Sequence, residues 1–198
     1  MSTVDAFKFK VTSKDFQAEG SVTGSVVATL FIGSTSGPIT GTFKVRGPDS
    51  ADSITFKILG TTTTYDSIVV GGWAYSRTNE GQWSRAPASG KTLQTFVGGV
   101  VLTDAGVEAR FGRQLHRLSV ANMSSLDLSS LGISAGAGME NLTVSSLAFW
   151  VEADGTPAGL SLEASVDQRI LGMSSHETVT LDIAIESLSD VTITAPTI

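Results

Sequence analysis

The residues able to do chemistry are few in this chain, and they are scattered. His116 and His176 are the only imidazoles in 198 residues. A metal site wants a third ligand at fixed spacing, and neither histidine has an H-x-x-x-H partner. The chain has no cysteine, which excludes disulfide frameworks, thiolate zinc sites and cysteine nucleophiles. Serines are abundant, yet no G-x-S-x-G elbow presents one as a nucleophile. Gly24-Ser25 and Gly33-Ser34 stand in strand or turn contexts. A Ser-His-Asp triad built from distant positions stays open on composition alone. Asp49, Asp52 and Asp154 read as turn residues, where Asp bonds its own backbone. Gly98-Gly99 and the stretch Gly132 to Gly138 miss the phosphate-binding spacings and read as loop or lid. The expectation is a protein that is not an enzyme, with no metal and no cofactor.

Charge narrows the partners. The formal net charge is −6, with thirteen Lys and Arg spread along the chain. The only groupings are Lys8/Lys10/Lys14 and Arg110/Arg113/Arg117, which is not the basic face of a nucleic-acid binder. Charged residues are 16% of the chain, and Ser, Thr and Gly take their place. Such a mixture suits exposed faces of β-sheets and their turns. No apolar run reaches the roughly 18–20 residues that span a bilayer. Met1-Ser2-Thr3-Val4-Asp5 lacks the charged and apolar regions of a signal peptide. A trimmed mature domain begins this way, and so does a cytoplasmic protein.

The apolar residues carry the functional content. Val26, Leu30, Ile32, Phe43, Val45, Phe56 and Ile58, with Phe96, Val97 and Val100, are expected to face one interior. Leu126, Leu128, Leu131 and Ile133 belong to short helices expected to lie over the sheet. One reading makes this set an ordinary core. The other makes it the wall of an apolar ligand cavity with few polar anchors. A long acyl chain needs little else, because each buried methylene contributes about 0.8 kcal/mol.

The elements that must position these residues are mostly strands. Phe7, Phe9 and Val11 alternate with Lys8, Lys10 and Thr12, the pattern of a half-buried strand. Strands are expected at Ser21 to Ile32, Ile39 to Arg46, Ser53 to Leu59 and Thr62 to Val70. Gly33 to Pro38 and Gly60 read as turns. After Gly71-Gly72, two short aromatic strands carrying Trp73, Tyr75 and Trp83 are joined by Thr78-Asn79-Glu80-Gly81. Tyr75 and Trp83 are expected to brace this edge of the sheet. Thr92 to Leu102 has helical spacing, and Ser124 or Ser125 caps a second short helix ending at Gly132. Strands resume at Leu142 to Val151, Gly159 to Asp167, Glu177 to Glu186 and Val191 to Ile193. Glu152 to Pro157 is a strong turn. With no composition shift to mark a boundary, residues 1–198 read as one α+β domain. Its large antiparallel sheet covers a few short mid-chain helices. If the sheet curves, the space between becomes a cavity.

Taken together, four segments resemble the LolA-like superfamily, in particular the LppX/LprG-type lipoproteins of bacterial envelopes. Phe7 to Val26 is similar to the family's paired opening strands, with Gly20 between them. Val69 to Arg77 followed by Trp83 resembles its gly-gly-x-x-Tyr … Trp hairpin. Val151 to Pro157 resembles its strand and Asp-Gly-x-Pro turn. Val191 to Pro196 is similar to its closing strand. The resemblance implies a curved half-barrel sheet wrapped over helices, with a hydrophobic cavity for a lipid or lipoprotein acyl chain. It implies an extracytoplasmic place in the cell envelope and a partner that is a lipid or another envelope protein. It also implies membrane attachment only through a lipidated N-terminal cysteine. That cysteine and the signal peptide are missing here, as in a chain trimmed just after the lipobox. The alternative function is a structural or interaction module of the envelope with a filled core.

Overall fold

The computed structural model describes residues 1–30, 33–58, 60–90, 92–123, 139–170 and 173–198. In it the period-two pattern becomes one open antiparallel sheet of eleven strands, with two short helices among the described residues. Strands β1 (Gln17–Leu30), β2 (Gly33–Arg46), β3 (Asp49–Ile58), β4 (Thr61–Val70), β5 (Trp73–Thr78) and β6 (Ser84–Pro87) form a first meander. Strands β7 (Leu102–Arg110), β8 (Arg113–Val120), β9 (Met139–Val151), β10 (Pro157–Ile170) and β11 (Met173–Ser187) form a second. The two meanders join where β1 pairs with β11, so the sheet runs β6-β5-β4-β3-β2-β1-β11-β10-β9-β8-β7.

This order leaves the two edges, β6 and β7, adjacent in the sequence. At ordinary strand spacing, a flat sheet of this width separates its edges by about 48 Å. The link from Pro87 to Leu102 contains a helix and reaches about 40 Å at full stretch. The sheet therefore curls. Gly24 and Gly41 mark the tight inner side, because a Cβ on either would collide with a carbonyl of the neighbouring strand. Substitution at either requires the backbone to move.

The N-terminal segment is a helix, α1 (Thr3–Val11), not the strand its alternation predicts. Ser2 caps it, its Oγ accepting from the Asp5 amide at 3.2 Å. Phe7 and Val11 are also spaced i and i+4, and both are buried, whereas Phe9 points into solvent at 71% exposure. The same five residues thus satisfied both periods, and packing decided between them. Gly20 lies inside the single strand β1, at a register shift, rather than between two opening strands. The second helix, α2 (Leu93–Gly99), forms where the helical spacing predicts it. Its cap is a reciprocal pair of hydrogen bonds between Thr92 and Thr95. The expected helix ending at Gly132 lies outside the described residues.

Other boundaries move. Gly33 to Pro38 continues β2 instead of turning. Asp49 and Asp52 sit in β3, and the turn before them is Gly47-Pro48. The β7–β8 hairpin went unread in the sequence. Val191 to Ile193 is not a strand. Val191 and Ile193 are nonetheless buried, and the Val191 amide donates to Gln17 Oε1 at 3.0 Å.

One core fills the space under the helices. Phe7 and Val11 of α1 and Phe96 and Val97 of α2 pack on Leu118, Leu147, Phe149, Val151 and Leu162 of the second meander. The Phe7 and Phe149 ring centroids lie 5.1 Å apart, and those of Phe96 and Phe149 lie 6.4 Å apart. Polar ties fix the helices: Lys8 Nζ donates to the Val100 carbonyl at 2.5 Å, and Gln94 Nε2 to that of Gly47 at 2.7 Å. Lys10 reaches the predicted 152–157 turn, bonding Asp154 at 2.9 Å and Thr156 at 2.6 Å. The Thr156 and Lys10 hydrogen bonds hold the Asp154 carboxyl well below the usual carboxylate range. Gly155 in this turn has φ +78, and a Cβ there would lie 2.5 Å from the Phe7 amide nitrogen. Only glycine lets the turn close against α1.

Candidate functional site

Strand register decides which residues share the inner face. On β1 the even positions Ala18, Val22, Val26 and Ala28 are buried. They pair with the odd positions of β2, which pair in turn with the even positions of β3. This brings Val26, Phe43, Val45, Phe56 and Ile58 to one face, as the sequence reading requires. Phe96, Val97 and Val100 approach the same face from α2 and its C-terminal cap. Leu30 shares the face by its place in β1, but its side chain is not described. Leu126, Leu128 and Leu131 lie outside the described residues.

These residues do not do the same job. Phe96 and Val97 are 5% and 0% exposed and belong to the packed core, with Phe43, Val45 and Val100 against them. Phe56 and Ile58 are only half-buried. Beside them on the same face stand Ile54, also half-buried, and Tyr65, 48% exposed. Tyr65 stacks on Phe56 with centroids 5.6 Å apart. Ile54 and Tyr65 were missed as wall residues, although Ile54 continues the Phe56–Ile58 alternation by two positions. The inner face of β3, with Tyr65, is therefore an apolar strip with incomplete cover, flanked on β4 by Thr61, Thr63 and Ser67.

A polar row crosses this wall. Register aligns Asp52 with Ser67, Ser67 with Ser76 and Ser76 with Ser84. Ser76 and Ser84 hydroxyls are 2.9 Å apart. Burial pushes the Asp52 carboxyl up to about 6; a hydrogen bond from Ser67 opposes that rise and the Asp66 charge adds to it. At the helix end of the same strands lies a groove of about 350 Å³ lined by Thr12, Ser13, Lys14, Gly47, Pro48, Thr92 and Gln94.

The outer face is built differently. Tyr75, 7% exposed, faces outward beside Ile68, so the aromatic hairpin braces the back of the sheet and does not cover the interior. Trp83 lies just before β6 and stacks under the Arg77 guanidinium at 4.6 Å; Trp73 stacks under Arg85 at 4.3 Å. Arg77 also pairs with Asp66 at 2.6 Å. Burial raises the Asp66 pKa, but hydrogen bonds from Ser53 and Arg77 outweigh it and hold the carboxyl below its usual range. From β7 across to β11, Arg110 pairs with Asp182, Ser161 Oγ donates to Asp182 at 2.6 Å, and Trp150 Nε1 donates to Ser161 at 2.7 Å.

The two histidines are far apart in the topology. His116 on β8 bonds Asp104 at 2.8 Å, and His176 on β11 bonds Asp167 at 2.8 Å. Among the described residues no group of three His, Asp or Glu comes together as a metal site.

No known protein-family model matches the chain, and no curated protein matches it. Among solved structures it is similar to a DUF1329 family protein from Desulfovibrio piger. That likeness has 12% identity and a TM-score of 0.34, over 95% of this chain and 94% of the other. A LolA superfamily protein from Nitrosomonas europaea has 8% identity and a TM-score of 0.29, over 94% and 93% of the two chains. A domain from Vibrio parahaemolyticus described as an outer membrane lipoprotein-sorting protein has 9% identity and a TM-score of 0.32, over 94% and 91%. At such scores these likenesses carry no argument about function.

Proposed function

We propose that this protein binds or carries a lipid or acyl chain, without catalysis, on the inner face of its curled sheet. The observation that carries the reading is the incomplete cover over Ile54, Phe56, Ile58 and Tyr65. A fold that packs its other half to near-zero exposure leaves this wall half in water. An alkyl chain laid on it gains about 0.8 kcal/mol for each methylene it buries. Binding is desolvation, and no bond is made or broken. The sequence resemblance to LolA-like envelope lipoproteins supports the same ligand class and an extracytoplasmic place.

A second reading, an interaction module with a filled core, is favoured by Phe96 and Val97, which are consumed by packing. Native mass spectrometry of delipidated protein with 1-monolauroylglycerol separates the two. Lipid carriage gives one bound amphiphile per chain, and Ile54→Ser weakens it about tenfold by removing apolar contact. No adduct at any accessible concentration would favour the filled module.

A further inference from the structure

Among the described side chains on β1–β6, one charged group faces inward, and it is Asp52. Lys44, Arg46, Lys57, Arg77 and Arg85 all alternate to the outer face, as do Glu19, Asp49 and Asp66. The inner face of this half is otherwise aliphatic, aromatic, glycine or hydroxyl. Burying a carboxyl there is costly; Ser67 donates to it, but among the described residues no cation pairs with Asp52 to offset the cost. Each outer carboxylate, by contrast, has one: Glu19 with Lys44 at 3.3 Å, Asp49 with Arg46 at 3.5 Å and Asp66 with Arg77. A group kept where the fold pays for it is a candidate for binding.

Its position fits a head group. Asp52, Ile54, Phe56 and Ile58 follow one another along a single face of β3, over about 20 Å at the strand rise. That is the length of a long alkyl chain laid along the strand. The hydroxyls of Ser67 and Ser76 continue the polar row sideways from Asp52. Polar and apolar positions are thus separated along the strand as they are in an amphiphile. An anionic head at this row would meet a carboxylate that no cation among the described residues compensates, whereas a donor head would meet an acceptor.

We infer that the inner face selects a single-chain amphiphile whose head donates hydrogen bonds, a hydroxyl or an ammonium, and that the Asp52 carboxyl receives that head. This rests on the reading of the wall as an acyl-chain site. It adds the specificity: free fatty acids are disfavoured occupants.

Three dodecyl probes test it by isothermal titration calorimetry at neutral pH and physiological salt: dodecanoate, dodecylammonium and 1-monolauroylglycerol. The wild type is expected to bind the ammonium and the glycerol ester about tenfold more tightly than dodecanoate. Asp52→Asn should bring all three within about twofold of one another. Glu80→Gln, the same charge change in an exposed turn, should leave the wild-type ratios in place. Circular dichroism of each variant checks the fold. The inference is overturned if dodecanoate binds the wild type as well as the others. It is equally overturned if Asp52→Asn and Glu80→Gln shift the ratios alike, since overall charge would then set the preference. Failure of all three probes to bind removes the acyl-chain reading itself, a result distinct from binding without discrimination.

Discussion

The helix-covered part of the sheet's inner face and its β3–β5 part differ in residues and in exposure. In the second meander, Leu118, Leu147, Phe149, Val151 and Leu162 meet Phe7, Val11, Phe96 and Val97 from two helices and vanish from solvent. In the first, Ile54, Phe56 and Ile58 have the same alternation and stay half-exposed. The strands differ as well: β4 and β5 turn Thr61, Thr63, Ser67 and Ser76 to this face, where the second meander turns leucine, phenylalanine and valine. A helix-filled half supplies stability; a half with incomplete cover supplies a place for something apolar. One charged residue, Asp52, stands at the end of the β3 strip, opposite Phe43 in the register.

The largest contrast is expected in stability. Phe149→Ala removes a ring touched by both helices and should cost about 3–5 kcal/mol. Phe56→Ala removes a ring already half in water and should cost about 1 kcal/mol by exposed-area scaling. Urea denaturation of the pair measures both, and equal losses would erase the distinction between the halves. Next comes Gly155→Val, which combines a positive φ with a clash into α1. About 2 kcal/mol or more should be lost from the helix-filled half, with binding to the open wall retained by the folded fraction. Val97→Trp overpacks a site with no exposure. It should destabilise by about 1–3 kcal/mol rather than block a ligand, and selective loss of binding with full stability would move Val97 into the site.

A separate effect depends on pH. The Asp52 pKa rises from 3.8 unfolded to about 6 folded, chiefly through burial. The native state therefore holds a proton that the unfolded state has released between those values. Stability falls as pH rises through that window and stays lower above it. Asp52→Asn should match the wild type near pH 4 and exceed it near pH 8, as read by thermal melts at the two pH values. Identical differences at both would place Asp52 in water.

Much of this contrast was legible in the sequence. Alternation alone placed Val26, Phe43, Val45, Phe56 and Ile58 on one face, because a period of two fixes parity once the strands are found. The Gly71-Gly72 turn is equally local, with φ of 58° and 80° as a tight hairpin requires. The 3–11 segment failed because Phe7 and Val11 fit both a strand and a helix, and only contact with Phe149 separates them. The β7–β8 hairpin was missed because its turn is Phe111-Gly112, with Phe111 at φ 50° where glycine or asparagine usually signals. Asp52 was read as a turn residue because aspartate favours turns. Its parity with Ile54 and Phe56 was the available signal. Where α1 and α2 dock on the apolar face is set by tertiary packing, and no local pattern encodes that.

Methyl NMR of the isotope-labelled protein with 1-monolauroylglycerol tests the central claim most directly. The account predicts intermolecular contacts from the alkyl chain to the Ile54 and Ile58 methyls, with Leu118, Leu147 and Leu162 unperturbed. Contacts to those three leucines, or none to Ile54 and Ile58 in a bound complex, would contradict it.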